Sequence, residues 1–173
     1  MKVRRNGLIA ALASGCVVHA AGCVAQSCAS PQFMLPDVTY TIDTCSNGFS
    51  LASVCGGTTL TGPAIAFTLY LPYPQGAEFL SVTPTSGSPQ FDPLLAVESH
   101  TCGTDSACPL FADNAGAGGQ EVIDVGTLDS GVYYVVISTE AGTPTECGAA
   151  DVIVQSGLGG NDDDGIFRSG FNY

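Results

Sequence analysis

The sequence predicts an all-β fold, a β-sandwich of jelly-roll or Greek-key type with about seven to eight short strands. The chain has 173 residues, of which 22 are Gly and 10 are Pro, so turn-forming residues are frequent. Between these turns lie short apolar runs, several of them alternating with polar residues as half-buried strands do. Outside the N-terminus no stretch has the 3.6-residue period of an amphipathic helix. These observations favour two packed sheets over a helical bundle.

Three strands are predicted in the first half of the domain. Residues 38–44 are rich in β-branched side chains. Ile65–Leu71 alternates large apolar residues with Ala, Thr and Tyr, and Pro72 ends the run. Leu80 and Val82 fall on one face of the next strand because side chains alternate along a strand.

The second half holds four further predicted strands. Residues 94–97 form an apolar run, and residues 122–125 follow a Gly-rich loop. Residues 132–137 are apolar on both faces, which predicts a central strand covered on each side. Val152 and Val154 share one face of the last strand.

The N-terminus has the features of an export signal. The first five residues include three basic side chains, and an apolar stretch at residues 8–21 follows. That stretch is too short and too interrupted for a transmembrane helix. We therefore expect residues 1–25 to be a signal peptide cleaved before Gln26. The alternative is a lipobox ending at Cys23, whose acylation would make the protein an outer-membrane lipoprotein.

Three segments are predicted after the signal. Residues 26–36 have no periodicity and are interpreted as a linker. Residues 37–157 form the sandwich domain, and residues 158–173 form an acidic and aromatic tail. We expect no transmembrane segment, and a location that is extracellular or in the cell envelope.

The charge of the chain limits its partners. Four basic and 16 acidic residues give a net charge of −12, and without the signal one basic residue, Arg168, leaves a net charge of −15. Such a surface repels phosphate backbones and anionic lipid headgroups, which argues against nucleic-acid or basic-patch membrane binding. The expected partner is an extracellular polymer or protein, and the sequence leaves the oligomeric state open.

Eight cysteines support export. Six of them follow the signal, and an even set in an exported chain indicates disulfides. A zinc site is less well supported, because there is no Cys-x-x-Cys and His100 is isolated. The short turn between Cys102 and Cys108 favours a bridge between these two. Cys45–Cys55 is the next expected pair, which leaves Cys28–Cys147 as the third.

Three segments together carry a family resemblance. They are Phe-Asp-Pro-Leu-Leu-Ala-Val at residues 91–97, Ala-Asp-Asn at residues 112–114, and Leu-Asp-Ser-Gly followed by Val-Tyr-Tyr-Val-Val-Ile at residues 128–137. In this order they resemble the bacterial pre-peptidase C-terminal domain over about residues 37–157. The resemblance implies a jelly-roll-like β-sandwich that accompanies secreted peptidases and other exported enzymes. Asn114 stands where the family has the second Asp of its acidic turn.

Calcium is the one cofactor candidate, because hard oxygen ligands surround the Gly-rich loop. The alternative interpretation is that Asp and Gly serve turn geometry, with aspartates bonding local backbone amides. The candidate ligands are Asp92, Asp113, Asn114, Glu121 and Asp124.

No catalytic residues are predicted. His100 is the one histidine after the signal, and there is no Gly-x-Ser-x-Gly motif. We expect a non-catalytic accessory or binding module, with a lipid-anchored structural or adhesive envelope protein and a small secreted hydrolase as alternatives. Tyr70, Tyr73 and Phe91 are candidates for stacking on a partner, unless they pack in the core or at its rim.

Overall fold

The computed structural model describes residues 27–72, 78–103, 108–140 and 146–156. The predicted signal peptide with Cys23, the predicted C-terminal tail and Tyr73 lie outside the described residues. Within those ranges the strands are β1 (Gln32–Met34), β2 (Thr39–Asp43), β3 (Ser53–Val54), β4 (Thr58–Thr59), β5 (Ile65–Leu71), β6 (Phe79–Pro84), β7 (Leu94–Glu98), β8 (Leu110–Ala112), β9 (Glu121–Asp124), β10 (Gly131–Ser138) and β11 (Ala149–Gln155). A short helix, α1 (Thr44–Asn47), follows β2. None of the described helical segments is long and apolar enough to cross a membrane.

Five strands form the first sheet, in the order β1-β5-β10-β7-β8. β1 runs parallel to β5, and the other neighbours are antiparallel. β10 lies in the middle, as its apolar residues on both faces predict. β2, β11, β6 and β9 form a second, antiparallel sheet.

The two sheets pack face to face, which confirms the predicted all-β sandwich. Alternate residues of β5, β10 and β7 point inward and meet alternate residues of β6 and β11. Burying one such Leu, Ile or Phe side chain contributes about 1.5–3 kcal/mol, so these contacts hold the sheets together. The largest of the fully buried core side chains are Phe67, Phe91, Ile65, Leu69, Leu80, Leu95 and Ile137.

A second apolar cluster lies on the other, outer face of the five-stranded sheet. Residues 49–64, here called the covering segment, include the β3–β4 hairpin and pack Val54 and Leu60 onto this face. They contact outward side chains of β7 and β10, among them Ala96 and Val136. The covering segment therefore shields one half of the outer face from water.

The predicted linker is wrong over part of its length. β1 pairs with β5, with Gln32 opposite Phe67 and Met34 opposite Leu69, so residues 32–34 belong to the sheet. Met34 is 3% exposed and joins the core. Three residues are too few to show a periodic pattern, so the sequence alone did not reveal this strand.

All six cysteines that follow the predicted signal are paired, but the three expected pairings are wrong. The sheet order explains the difference: Asp43 lies opposite Ala149, which places the residues just beyond these two strand ends side by side. Proximity in sequence is therefore a poor guide to pairing in a sandwich built from non-local contacts. The observed bridges are Cys28–Cys102, Cys45–Cys147 and Cys55–Cys108.

Proteolytic mapping distinguishes the two disulfide patterns. Cleavage before Asp105 without reduction separates Cys102 from Cys108, and we expect the Cys102 peptide to remain linked to the Cys28 peptide alone. Thiol titration of the denatured, unreduced protein should find no free thiol among these six cysteines. A linked pair of the Cys102 and Cys108 peptides would contradict the observed pattern.

Candidate functional site

Four carboxyl groups meet at one end of the five-stranded sheet. Asp92 comes just before β7, and Asp113 just after β8, whose Ala112 lies opposite Leu95. Glu140 follows β10, whose Ser138 lies opposite Leu94. Antiparallel pairing thus brings these three side chains together, and Glu121 reaches them from β9 in the second sheet.

Glu121 organises the loop that precedes β9. It is 2% exposed, and its Oε1 accepts hydrogen bonds from the backbone N–H groups of Asn114 at 2.8 Å and Ala115 at 2.6 Å. Gly118 has a φ of 76°, and its N–H donates to the Phe91 carbonyl. A Cβ at Gly118 would lie 2.6 Å from the Pro89 carbonyl oxygen, so glycine is required there.

Asp113 is the most perturbed of the titratable groups in this cluster. Partial burial raises its pKa to about 7, and a hydrogen bond with Glu140 and the charges of Glu140, Asp92 and Glu121 act in the same direction. A hydrogen bond between two carboxyl groups needs a proton on one of them. The pair of Asp113 and Glu140 therefore holds a proton at pH values where isolated carboxylates are ionised.

The five predicted ligands do not all lie in this cluster. Asp92, Asp113 and Glu121 are brought together, and the Oδ1 atom of Asp92 is buried without a hydrogen-bond partner. Asp124 instead caps a short 3-10 turn, where its Oδ1 accepts from the Gly126 N–H at 3.0 Å. Asn114 is exposed, and its described contact is the backbone donation to Glu121.

This geometry favours a shared proton between Asp113 and Glu140. Across the described ranges, no group of three or more His, Cys, Asp or Glu side chains is arranged to hold a metal ion. Glu121 also accepts two backbone N–H groups. Calcium sites present six to eight oxygen atoms around one point, and the described side chains do not form such a group.

A second buried carboxylate lies at the other end of β7. Glu98 is fully buried on the outer face, opposite Tyr134. Its Oε2 accepts a hydrogen bond from the Gly103 N–H, and its Oε1 accepts one from the Cys55 N–H at 3.5 Å. Glu98 thereby ties the covering segment to the loop that carries Cys102, and a buried carboxylate is stable only with such donors.

The Ser99–His100 pair is the described contact that most resembles a nucleophile beside a base. Ser99 Oγ lies 2.8 Å from His100 Nδ1. His100 is exposed on the turn after β7. A nucleophile beside a base acts in a cleft that holds the substrate against both groups, whereas His100 lies exposed on a turn.

The other half of the outer face is open to solvent. On β5 and β10 the side chains that point away from the core include Tyr70 and Val132, which lie directly opposite each other. They are 56% and 49% exposed, and Phe33 of β1 is 63% exposed. We call this surface the open face: Phe33, Leu35, Tyr70, Val132 and the half-buried Tyr134.

The predicted stacking residues separate into two groups. Tyr70 is exposed as expected, whereas Phe91 is fully buried and packs in the core. Phe33 was not identified from the sequence because it lies in the stretch interpreted as a linker. Its signal is the apolar run Phe33, Met34 and Leu35 in a segment of mostly small and polar residues.

Fold and surface define an all-β, disulfide-bonded domain with an exposed aromatic face. No family model and no curated protein sequence matches this chain.

The proton held by Asp113 makes stability depend on pH. Because its pKa is raised in the folded state, the folded protein binds more protons than the unfolded chain between about pH 4 and pH 7. The free energy of unfolding should therefore fall as pH rises through this range. In Asp113→Asn we expect a smaller fall, since an amide donates to Glu140 without titrating.

Denaturant unfolding at several pH values measures this effect. Asp129→Asn is the matched control, because it removes an exposed carboxylate elsewhere and should keep the wild-type slope. Burial also raises the pKa of Glu78, so part of the slope should persist in Asp113→Asn. Identical slopes for wild type and Asp113→Asn would disprove the shared proton.

Calcium is tested by thermal melts in millimolar CaCl₂, in chelator and in NaCl of matched ionic strength. We expect the CaCl₂ and NaCl melts to coincide, because salt screens the repulsion within an acidic protein whichever cation is present. A ligand at a hundred times its dissociation constant adds about 2.7 kcal/mol. A calcium-specific rise of that size that Asp113→Ala abolishes would establish a metal site instead.

Proposed function

We propose that this protein is an exported, non-catalytic binding module that holds a partner on its open face. The module resembles the pre-peptidase C-terminal domain, and by that analogy it serves an exported enzyme or a surface structure as an accessory. Three disulfides support export, because such bonds persist in oxidising compartments.

One observation carries the proposal: the sheet's outer face is shielded on one half and open on the other. The covering segment, held by the Cys55–Cys108 bridge, packs on outward residues such as Val136. Tyr70 and Val132 continue the same face without such a cover among the described residues. Exposed apolar side chains that adjoin one another on a rigid sheet are typical of interaction surfaces.

Hydrogen bonds and core packing hold β1 in place, which lowers the entropic cost of binding at Phe33. Tyr40 places its hydroxyl at β1, where it accepts a hydrogen bond from the Leu35 N–H at 2.9 Å and approaches the Phe33 carbonyl at 3.4 Å. The ring of Tyr40 in turn packs against Phe67, with ring centroids 5.4 Å apart. Phe33 is thus presented by a strand that the core fixes in place.

A capture experiment, in which the immobilised protein is exposed to native surface material or culture medium, tests the proposed function. The immobilised wild-type protein should retain a component that a Tyr70→Ser, Val132→Ser double variant does not. Both side chains are about half exposed, so we expect a change in stability of about 0.5 kcal/mol or less.

The matched control lies on the opposite sheet. Phe79 and Val122 are 41% and 46% exposed, and Phe79→Ser with Val122→Ser removes similar apolar surface there. This variant should capture the same component as wild type. If the open-face variant captures it equally well, the open face is not the binding surface.

A further inference from the structure

The open face presents aromatic rings on a domain whose net charge is negative. All four Lys and Arg residues of the chain lie at positions 2, 4, 5 and 168, so residues 27–156 contain no permanently basic side chain. The acidic residues are spread through the same stretch, with only residues 162–164 in the tail. Whatever docks on this face therefore meets a uniformly negative domain.

The arrangement of the rings suits a cationic group. Phe33 and Tyr134 both lie opposite Thr68, one on each side, so the two rings flank Thr68 across three strands. Adjacent strands are about 4.8 Å apart, which separates the two backbones by about 10 Å. Thr68 is only 5% exposed although it is on the outer face, so neighbouring side chains close over it. Tyr70 stands on the same strand, two residues further along.

A buried acidic side chain, Glu98, lies opposite Tyr134 in the same row. A cation over an aromatic ring is attracted by the ring's negative face, and the net negative charge of the surrounding domain strengthens that attraction.

Resting on the function proposed above, we propose that the open face binds a positively charged segment of another protein, with Lys or Arg side chains over Phe33, Tyr70 and Tyr134. Apolar residues of that segment pack on Val132 and Leu35. The charge complementarity favours such a partner over a neutral polysaccharide, which would gain nothing from the net negative charge of the domain.

In this proposal the partner packs on the side chains of the open face and does not pair with β1 as an additional strand. The hydroxyl of Tyr40 already occupies the Leu35 N–H and approaches the Phe33 carbonyl, so these backbone groups of β1 are not free to pair with another strand. A segment docking on the side chains leaves these hydrogen bonds intact.

The proposal is tested with defined peptides and the full exported protein. The probe is a fluorescent synthetic peptide of Lys and Leu residues separated by Gly. Two counterpart peptides carry Glu or Gln at each Lys position. We expect the Lys peptide to bind at least about tenfold more tightly than either counterpart. Raising the salt concentration should weaken it, because screening reduces the charge attraction.

Two variants locate the binding. Tyr70→Ser should lower the affinity for the Lys peptide by about tenfold, which is the loss typical of a central aromatic contact. Phe79→Ser on the opposite sheet should bind like wild type. If both variants bind like wild type, the peptide senses only net charge and the proposal is wrong.

Failure of this inference is distinguishable from failure of the proposed function. If the Gln peptide or a neutral glycan binds as tightly as the Lys peptide, and Tyr70→Ser weakens it equally, the open face binds partners but does not select cations. If capture from the native surface is also insensitive to the Tyr70→Ser, Val132→Ser variant, the proposed function itself is wrong.

Discussion

The buried carboxylate of Glu98 is the interaction on which the outer face of this sandwich depends. It stands at the end of β7 and accepts hydrogen bonds from Cys55 in the covering segment and from Gly103 in the following loop. Disulfides from Cys55 and Cys102 anchor the same two segments. Loss of a hydrogen bond to a buried carboxyl group costs about 1–3 kcal/mol or more. Detaching the covering segment from the sheet would therefore reduce the free energy of unfolding substantially.

That attachment divides one sheet face into a covered half and an exposed half. Below the covering segment, Val136 and Ala96 belong to a second apolar cluster and add to the stability of the fold. Beyond it, Tyr70 and Val132 remain in water and are held in register by β5 and β10. The acidic cluster around Asp113 lies at a sheet end, where Glu121 binds the backbone of the loop before β9.

The longer strands could be predicted from the sequence, because β5 and β10 contain enough apolar residues to show their pattern. The shorter strands β1 and β8 could not, since three residues carry no period. The disulfide pairs were mispredicted because strand order, not sequence distance, decides which cysteines meet. Glu140 was missed for the same reason. Glu140 lies two residues after the end of β10, and Asp92 lies two residues before the start of β7. Only the antiparallel pairing of these two strands shows that the two positions are neighbours.

Hydroxyl-radical footprinting would test the central claim most directly. It compares the free protein with the protein bound to the component captured from the native surface. The claim is that the open half of the five-stranded sheet is the contact surface. Oxidation of Phe33, Tyr70 and Val132 should fall on binding, while oxidation of Phe79 and Val122 on the opposite sheet stays at the level of the free protein. Protection of Phe79 and Val122 with unchanged oxidation of Tyr70 would contradict the account.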